Sequence, residues 1–241
     1  MPLAPWLKLP CKISVLTIIL SVVYSAQAQQ PLFPVTGFYN PGATVTTFLS
    51  GDFNNDGQPD IAFTSPAASG GPQFASITVL LNGTGTPTPV VTSLNCASAP
   101  QLIAADLNND KNLDLVATCA GGDVVVLLGN GDGSFQKPVY YITSGTPVIA
   151  QPVDLNGDGY LDVAAATPSA VLVMLNQGST APGTLLAAKS YTPPTGMVFS
   201  GIQSGDFNGD GKQDVLAISI DGVGAGGRED VGNGSGNGLS R

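Results

Sequence analysis

The sequence has 241 residues, with 8 Lys or Arg, 17 Asp or Glu and no His, so its formal net charge is −9. The absence of His excludes catalytic triads and dyads that depend on His, and also His-ligated zinc or iron centres. The negative charge argues against nucleic acid as a partner, because such surfaces need clustered Lys and Arg. With 43% hydrophobic residues, 31 Gly and 19 Pro, the composition favours an all-β chain with many turns.

The first 28 residues are typical of a secretory signal peptide. Lys8 and Lys12 precede an apolar run at residues 13–24, and small residues follow at Ala26 and Ala28. The run has 12 residues, whereas a membrane span needs about 20, so an uncleaved anchor is the weaker alternative. We therefore predict a mature chain of residues 29–241 that has no membrane span and is secreted, periplasmic or at the cell surface.

Two cysteines, Cys96 and Cys119, remain after this segment. Export permits a disulfide between them, and they flank a predicted hairpin with strands at residues 101–105 and 113–118, which would bring them close. The alternative is a pair of semi-buried free thiols. Without a His in the chain, neither is expected to act as a nucleophile.

Four copies of a nine-residue motif, Asp-x-Asn-x-Asp-x-x-x-Asp, recur along the chain, each followed by an apolar strand. We name these loops L1 (52–60), L2 (106–114), L3 (154–162) and L4 (206–214); their starts are 54, 48 and 52 residues apart. The loops contain 12 of the 16 Asp residues. A period near 50 residues is the length of one four-stranded propeller blade.

The segments between the loops also repeat. After the first apolar strand, a second is predicted at residues 76–81, 123–128 and 170–175, then a Gly-rich turn and a looser outer strand such as 138–143. The fold predicted from this pattern is an all-β, β-propeller-type array of about four four-stranded blades within residues 29–220.

The last blade is predicted to be incomplete. Its strand pattern ends after residues 215–220, and residues 221–241, with eight Gly, are predicted to form a disordered tail. Near the other end, residues 32–39 resemble an outer strand. We expect either a chain shortened relative to its relatives, an open array, or self-association through the incomplete blades.

Each loop carries the oxygen ligands that Ca²⁺ prefers, with side chains at positions 1, 3, 5 and 9 and a backbone carbonyl at position 7. Gly at position 6 supplies a sharp turn in three loops; Lys111 replaces it in L2, which predicts that this site is the weakest. An EF-hand is excluded because position 12 is never Glu and no helical pattern flanks the loops. Asx turns without metal are the alternative, but three carboxylates in one loop repel each other without a cation.

The prediction is up to four Ca²⁺ ions, one per loop. The predicted side-chain ligands are Asp52, Asn54, Asp56, Asp60, Asp106, Asn108, Asp110, Asp114, Asp154, Asn156, Asp158, Asp162, Asp206, Asn208, Asp210 and Asp214. The predicted carbonyl ligands belong to Gln58, Asn112, Tyr160 and Lys212.

These loops, with the turn Leu-Leu-Gly-Asn-Gly-Asp-Gly-Ser-Phe at residues 127–135, resemble the FG-GAP or VCBS repeats of integrin-α-like β-propellers. The resemblance extends over residues 44–220. It implies a propeller in which each blade binds calcium in the loop between its first two strands, the ions stabilise the blades, and partners dock on the propeller surface. Propellers of this kind usually have seven blades, whereas this sequence shows at most four.

The leading functional hypothesis is a secreted, non-catalytic, calcium-binding propeller, or part of one, that recognises an extracellular glycan or protein. Loops between blades would make the contacts. Tyr140, Tyr141 and Tyr191 are candidate contact residues, although packing of the outer strands is the stronger interpretation.

Two alternatives remain open. One is a hydrolase or lyase that uses paired carboxylates, but outside the loops only Asp123, Asp132 and three acidic residues at 221, 229 and 230 remain for such work. The other is a purely structural module of a cell surface.

Overall fold

The computed structural model describes residues 41, 44–66, 74–83, 88–99, 101–143, 145–147, 149–192, 198–219 and 228–230, without the side chains of 88 and 228–230. The chain divides into two compact units, Met1–Phe38 and Tyr39–Arg241, and all described residues lie in the second. The predicted signal peptide and the strand predicted at 32–39 lie outside the described residues.

Antiparallel strands dominate the described part of the chain. In chain order they are β1 (Thr47–Gly51), β2 (Asp60–Ser65), β3 (Ala75–Leu81), β4 (Thr88–Leu94), β5 (Gln101–Ala105), β6 (Asp114–Cys119), β7 (Asp123–Leu127), β8 (Val139–Ile142), β9 (Ile149–Val153), β10 (Asp162–Thr167), β11 (Ala170–Met174), β12 (Lys189–Tyr191), β13 (Phe199–Gly205), β14 (Asp214–Ser219) and β15 (Arg228–Asp230). One 3₁₀ turn, Gly178–Thr180, is the single helical element among these residues. Within the same ranges, no helix has the length and apolarity needed to cross a membrane.

The strands form four sheets in which neighbours in sequence are neighbours in space. Sheet 1 contains β1–β4, sheet 2 β5–β8, sheet 3 β9–β12 and sheet 4 β13–β15. The first strands of successive sheets contact one another, β1 with β5, β5 with β9 and β9 with β13. The sheets are therefore the blades of an open β-propeller array, three with four strands and the last with three, which confirms the predicted fold class.

The middle strands are buried because their residues are apolar on both faces. All six residues of β6 and of β10 are buried, whereas the first strand β1 alternates between half-buried and exposed residues. Covering both faces of a sheet by neighbouring sheets requires near-continuous apolar runs, and Val, Ala and Leu supply them here.

Three apolar clusters fill the spaces between successive sheets. Members of the first two sheets meet around Ile77, Leu94, Leu115 and Leu127. Sheets 2 and 3 share a cluster that includes Val116, Val126, Leu172 and Met174. Sheets 3 and 4 share a cluster that includes Val171, Phe199, Ile202 and Val215.

The segment predicted to be a disordered tail, residues 221–241, contains the strand β15. The prediction of disorder is therefore wrong for residues 228–230. β15 pairs antiparallel with β14, with Glu229 opposite Ala217. The outer edge of β14 offers unpaired backbone N–H and C=O groups, so a third strand can form by backbone pairing without an apolar sequence pattern. Residues 220–227 and 231–241 lie outside the described part.

Cys96 and Cys119 form a disulfide, with Cα atoms 5.8 Å apart. Of the two alternatives left open by the sequence, the structure has the bonded one. Cys96 follows β4 and Cys119 ends β6, so the bond joins the segment that leaves sheet 1 to the interior of sheet 2. Both cysteines are buried in the cluster between these sheets.

Candidate metal centre

Each of the four loops joins the first and second strands of its sheet, as the repeat pattern predicts. In L1 the carboxylate of Asp52 accepts a hydrogen bond from the backbone N–H of Gly57 at 2.8 Å, and Asp56 accepts one from Gln58 at 2.8 Å. Asn54 accepts the N–H of Asp56 through Oδ1 and donates from Nδ2 to Asp56 Oδ2, both at 3.1 Å. These bonds hold the side chains of positions 1, 3 and 5 in one turn.

The same bonds recur in the other loops with distances of 2.8–3.3 Å. The position 1 carboxylates bond to the backbone N–H of position 6, and the position 5 carboxylates to that of position 7. All four loops therefore share one arrangement of the Asp and Asn side chains at positions 1, 3 and 5.

Position 9 differs from the others because its carboxylate is buried. Asp60 has no solvent exposure; its Oδ2 accepts the N–H of Phe53 at 3.0 Å and its Oδ1 accepts the N–H of Asn82 at 2.7 Å. The first bond closes the loop, and the second ties the loop to the end of β3. The residue is thus a structural link between the loop and the third strand of the same sheet.

Asp114 and Asp162 make the equivalent pair of bonds. Asp114 accepts from Leu107 and Gly129, both at 2.7 Å, and Asp162 accepts from Leu155 at 2.9 Å and Asn176 at 2.7 Å. For Asp214, the described residues show only the first bond, from Phe207 at 3.1 Å. The spacing pattern alone missed this partner at the end of the third strand, because the donor is a backbone N–H, which Asn82, Gly129 and Asn176 supply equally.

Burial raises the pKa of three position 9 carboxylates, those of Asp60, Asp114 and Asp162. The pKa of Asp114 is raised to about 6 by desolvation, with smaller contributions from the negative charges of Asp110 and Asp106. The pKa values of Asp60 and Asp162 are raised for the same reasons, each with contributions from the two other Asp residues of its own loop. The three carboxylates of a loop therefore repel one another, and a cation placed among them would relieve this repulsion.

The donor set of each loop fits a hard divalent cation in its chemistry. It consists of carboxylate, amide and backbone carbonyl oxygens, which suit Ca²⁺ and do not suit soft metals. A carboxylate oxygen that accepts one backbone N–H keeps a second lone pair; Asp206 Oδ1 in L4 instead accepts two, from Gly209 and Asp210. Among the described residues, no group of three acidic, His or Cys side chains is gathered closely enough to hold an ion by itself, so the fit rests on the combined oxygen set and not on a preformed carboxylate cage.

Position 6 has a left-handed backbone in every loop. Gly57, Gly159 and Gly211 have φ of +82°, +84° and +84°, and Lys111 takes φ of +70° in L2. A side chain in this region costs energy that Gly avoids. The structure thus gives a physical basis to the ranking of L2 as the weakest loop, which stays a prediction.

Two contacts between neighbouring loops were not predicted. Asn55 Nδ2 of L1 donates to Asn112 Oδ1 of L2 at 2.6 Å, and Asn109 Nδ2 of L2 donates to the carbonyl of Gly159 in L3 at 2.9 Å. Both donors occupy position 4 of their loops. Sequence spacing gives no information on contacts between loops about 50 residues apart, so these had no usable signal.

The candidate ligand-binding tyrosines have structural contacts. Tyr140 Oη accepts the N–H of Asn95, just after β4 of sheet 1, at 2.6 Å, and Tyr141 Oη accepts the N–H of Leu185, which precedes β12 of sheet 3, at 2.9 Å. Successive residues of β8 thus reach both adjacent sheets. The Tyr191 ring lies 4.9 Å from Lys189 Nζ. These contacts support the packing interpretation of Tyr140 and Tyr141.

Outside the loops, the acidic residues whose side chains the structure describes are Asp123 and Asp132, which lie at the start of β7 and in the turn after it. Asp132 accepts from the N–H and hydroxyl of Ser134 at 2.9 and 2.6 Å in the turn before β8, and these bonds lower its pKa. Asp123 begins β7, opposite Cys119 and Ile142.

A cavity of about 360 Å³ opens between the first strands of sheets 2, 3 and 4. Its lining is uncharged and includes Gln101, Gln151, Gln203, Ile103, Ile149 and Ile202. Gln101 Oε1 accepts the N–H of Ala150 at 2.6 Å, and Gln151 Nε2 donates to Ser204 Oγ at 2.9 Å. Gln101 and Gln151 therefore link successive first strands and retain further amide donors and acceptors at the cavity wall.

The chain is similar to one protein family and to solved structures, one of which is a lectin. The chain matches the FG-GAP-like repeat family over residues 52–117 and 154–217, more than half of its length. No curated protein sequence matches significantly. A solved structure of an Agrocybe aegerita lectin, described as recognising non-reducing terminal N-acetylglucosamine, aligns with 21% identity and a TM-score of 0.49 over 78% of this chain. The alignment covers 51% of the lectin chain, so this chain spans about half of its length.

Both matched regions begin at the first Asp of a loop and end in an apolar strand, L1 to β6 and L3 to β14. They enclose the loops and buried strands described above. The chain therefore belongs to the FG-GAP-like repeat family, the integrin-α-like class of β-propeller repeats.

Proposed function

We propose that this chain is a secreted, non-catalytic, calcium-binding β-propeller array that recognises a glycan or a protein outside the cell. The observation that carries the proposal is the fourfold recurrence of one loop structure that gathers carboxylate and amide oxygens between the first two strands of each sheet. Membership of the FG-GAP-like repeat family supports the same interpretation.

Calcium would act as a structural ion. The side chains at positions 1, 3, 5 and 9 and the carbonyl at position 7 would hold it, and its charge would offset the repulsion within the loop. Because position 9 also bonds to the end of the third strand in L1–L3, an ion there would link the loop to the sheet. Secretion is supported by the sequence of residues 1–28 and by the disulfide, which persists in oxidising compartments.

The recognition surface that we favour is the cavity between the first strands of sheets 2–4. Its volume of about 360 Å³ lies within the usual range for small-ligand sites, roughly 300–1,000 Å³. The uncharged lining combines glutamine amides with the apolar surface of three isoleucines. Such a lining suits a neutral saccharide, whose hydroxyl groups need hydrogen bonds and whose C–H faces pack on apolar side chains.

Catalysis is not part of the proposal. The chain has no His, its loop carboxylates are committed to backbone hydrogen bonds, and Asp132 is held by Ser134 in a turn. A pair of carboxylates at the spacing used by glycoside hydrolases would be needed for the alternative, and no observation favours it.

Glycan-array binding of the purified protein in calcium tests the recognition proposal, with Gln203→Leu as the variant and Gln136→Leu as the matched control. Gln203 lies at the cavity and is exposed, whereas Gln136 is exposed in the turn before β8. We expect the native protein and Gln136→Leu to bind the same neutral glycans and Gln203→Leu to lose them. Equal binding by all three would contradict the cavity as the recognition surface.

A further inference from the structure

The contacts between loops lie at position 4, where the backbone requires a left-handed conformation. Asn55 and Asn109 have φ of +57° and +58°, and the equivalent Gly157 and Gly209 have +76° and +80°. Gly adopts this conformation most readily, and Asn is among the residues that tolerate it. Loops L1 and L2 therefore carry a less favourable residue at a position where L3 and L4 have Gly.

The side chain of this residue reaches the part of the next loop that would supply the carbonyl ligand. Asn55 bonds to the side chain of Asn112, the position 7 residue of L2. Asn109 bonds to the carbonyl of Gly159, which belongs to the peptide preceding Tyr160 at position 7 of L3. Asp158 accepts the N–H of that same peptide at 2.8 Å, so the peptide is fixed from both sides.

Adjacent turns strengthen this connection. Gly133 donates its N–H to the carbonyl of Phe53 in L1 at 2.8 Å, and Asn176 Nδ2 donates to the carbonyl of Leu107 in L2 at 2.8 Å. In both cases a turn of the following sheet contacts position 2 of the preceding loop. L1 is thus joined to sheet 2, and L2 to sheet 3, at two points each.

We propose that Asn55 and Asn109 couple calcium binding between neighbouring loops, so that L1, L2 and L3 bind as a connected series and L4 binds independently. This inference rests on the calcium binding proposed above. Each bond forms only when both loops hold their ordered conformation, so an ion that orders one loop favours the ordered state of the next. Gly157, at position 4 of L3, has no side chain with which to contact L4.

A calcium titration of two-loop variants by isothermal calorimetry tests the proposal. The double variant Asp56→Ala with Asp210→Ala removes a ligand from L1 and from L4, so only L2 and L3, which are joined by Asn109, keep their full ligand sets. The matched control is Asp56→Ala with Asp110→Ala, in which only L3 and L4 keep their full ligand sets. L3 has Gly157 at position 4 and therefore no side chain there that could contact L4. Each background is compared with and without Asn109→Gly, which keeps the backbone conformation and removes the donor.

We expect the first ion bound to the L2–L3 background to raise the affinity for the second about two- to tenfold, as one ordinary hydrogen bond allows. Asn109→Gly should therefore lower the Hill coefficient of the L2–L3 background and leave that of the L3–L4 background unchanged. Melting in chelator verifies that every variant is folded.

A Hill coefficient of the L2–L3 background that Asn109→Gly leaves unchanged, or one that falls equally in the L3–L4 background, would overturn the coupling. If the native protein shows no calcium binding at all, the proposed function is overturned as well. That outcome is distinct from independent binding, in which both ions still bind.

Discussion

Lys111 is the residue of L2 whose backbone conformation is strained, whereas the equivalent residue of the other three loops is Gly. It adopts φ of +70° where the other loops have Gly. A left-handed conformation costs a residue with a side chain about 1–2 kcal/mol, and the greater freedom of Gly in the unfolded chain offsets about 0.5–1 kcal/mol of that.

Replacing this residue should therefore stabilise the protein. We expect Lys111→Gly to raise the free energy of unfolding by about 0.5–1 kcal/mol in chelator, measured by urea denaturation. The reverse change in L1, Gly57→Lys, serves as the paired control; a Cβ at Gly57 meets no atom within 4 Å, so only backbone strain changes. Stabilisation by both substitutions, or by neither, would contradict this account of L2.

The acidic residues within one loop have different roles, and position 9 is the structural one. Asp114 is buried and accepts two backbone N–H groups, while Asp110 at position 5 is exposed. Asp114→Ala leaves both donors without their acceptor, so it should cost about 2–4 kcal/mol of folding free energy even in chelator.

Asp110→Ala is the matched comparison within the same loop. In chelator it should cost about 1 kcal/mol or less, because its donors are open to water. In calcium its cost should increase by the binding energy of one ion. If the two variants are equally stable in chelator, the hydrogen bonds of position 9 do not carry the role assigned here.

The sequence was sufficient to predict the loops because their chemistry lies at fixed spacing within nine residues. It was not sufficient for the buried role of Asp60, since its partner Asn82 depends on the register between β2 and β3. The contact between Asn55 and Asn112 likewise depends on how one sheet lies against the next. Local spacing encodes local structure, and contacts across sheets arise only on packing.

At the scale of elements, the pairing of β-strands followed the apolar runs closely. The strand predicted at residues 101–105 coincides with β5, and the one predicted at 170–175 differs from β11 by one residue. The exception is β15, which was predicted as tail. Its pairing relies on backbone groups of β14, and backbone groups leave no signature in the sequence.

The disulfide is the one covalent cross-link between side chains of two sheets in the described part of the chain. It spans a sequence separation of 23 residues, for which loop-closure entropy corresponds to about 3 kcal/mol. We expect Cys96→Ala with Cys119→Ala to lower the free energy of unfolding by about this amount, measured by urea denaturation, and reductant to have the same effect on the native protein. An unfolding midpoint unchanged by reductant would contradict this stabilising role.

At the scale of the whole molecule, successive sheets stabilise one another through the three apolar clusters between them, as in other repeat arrays. Phe53 of L1 is buried and packs edge-to-face on Phe135 of sheet 2, with ring centroids 6.1 Å apart. The equivalent Phe207 of L4 is 49% exposed. The loops therefore contribute to the packing of the following sheet as well as to their own.

Ions bound in L1–L4 would strengthen this packing. We therefore expect the stability of the folded array to depend on metal binding. A ligand of the native state stabilises it by mass action, by about 2.7 kcal/mol per site at 100 times its dissociation constant. For a chain of this size, each 1 kcal/mol corresponds to about 2–4 °C in melting temperature.

The most direct test is thermal melting of the purified protein in calcium and in chelator, at matched ionic strength. The account predicts one cooperative transition that rises by at least about 5 °C in calcium. A variant with Ala at the position 5 Asp of all four loops should lose that shift. A sharp transition at the same temperature in both conditions would contradict the central claim and leave the loops as hydrogen-bonded turns without a metal.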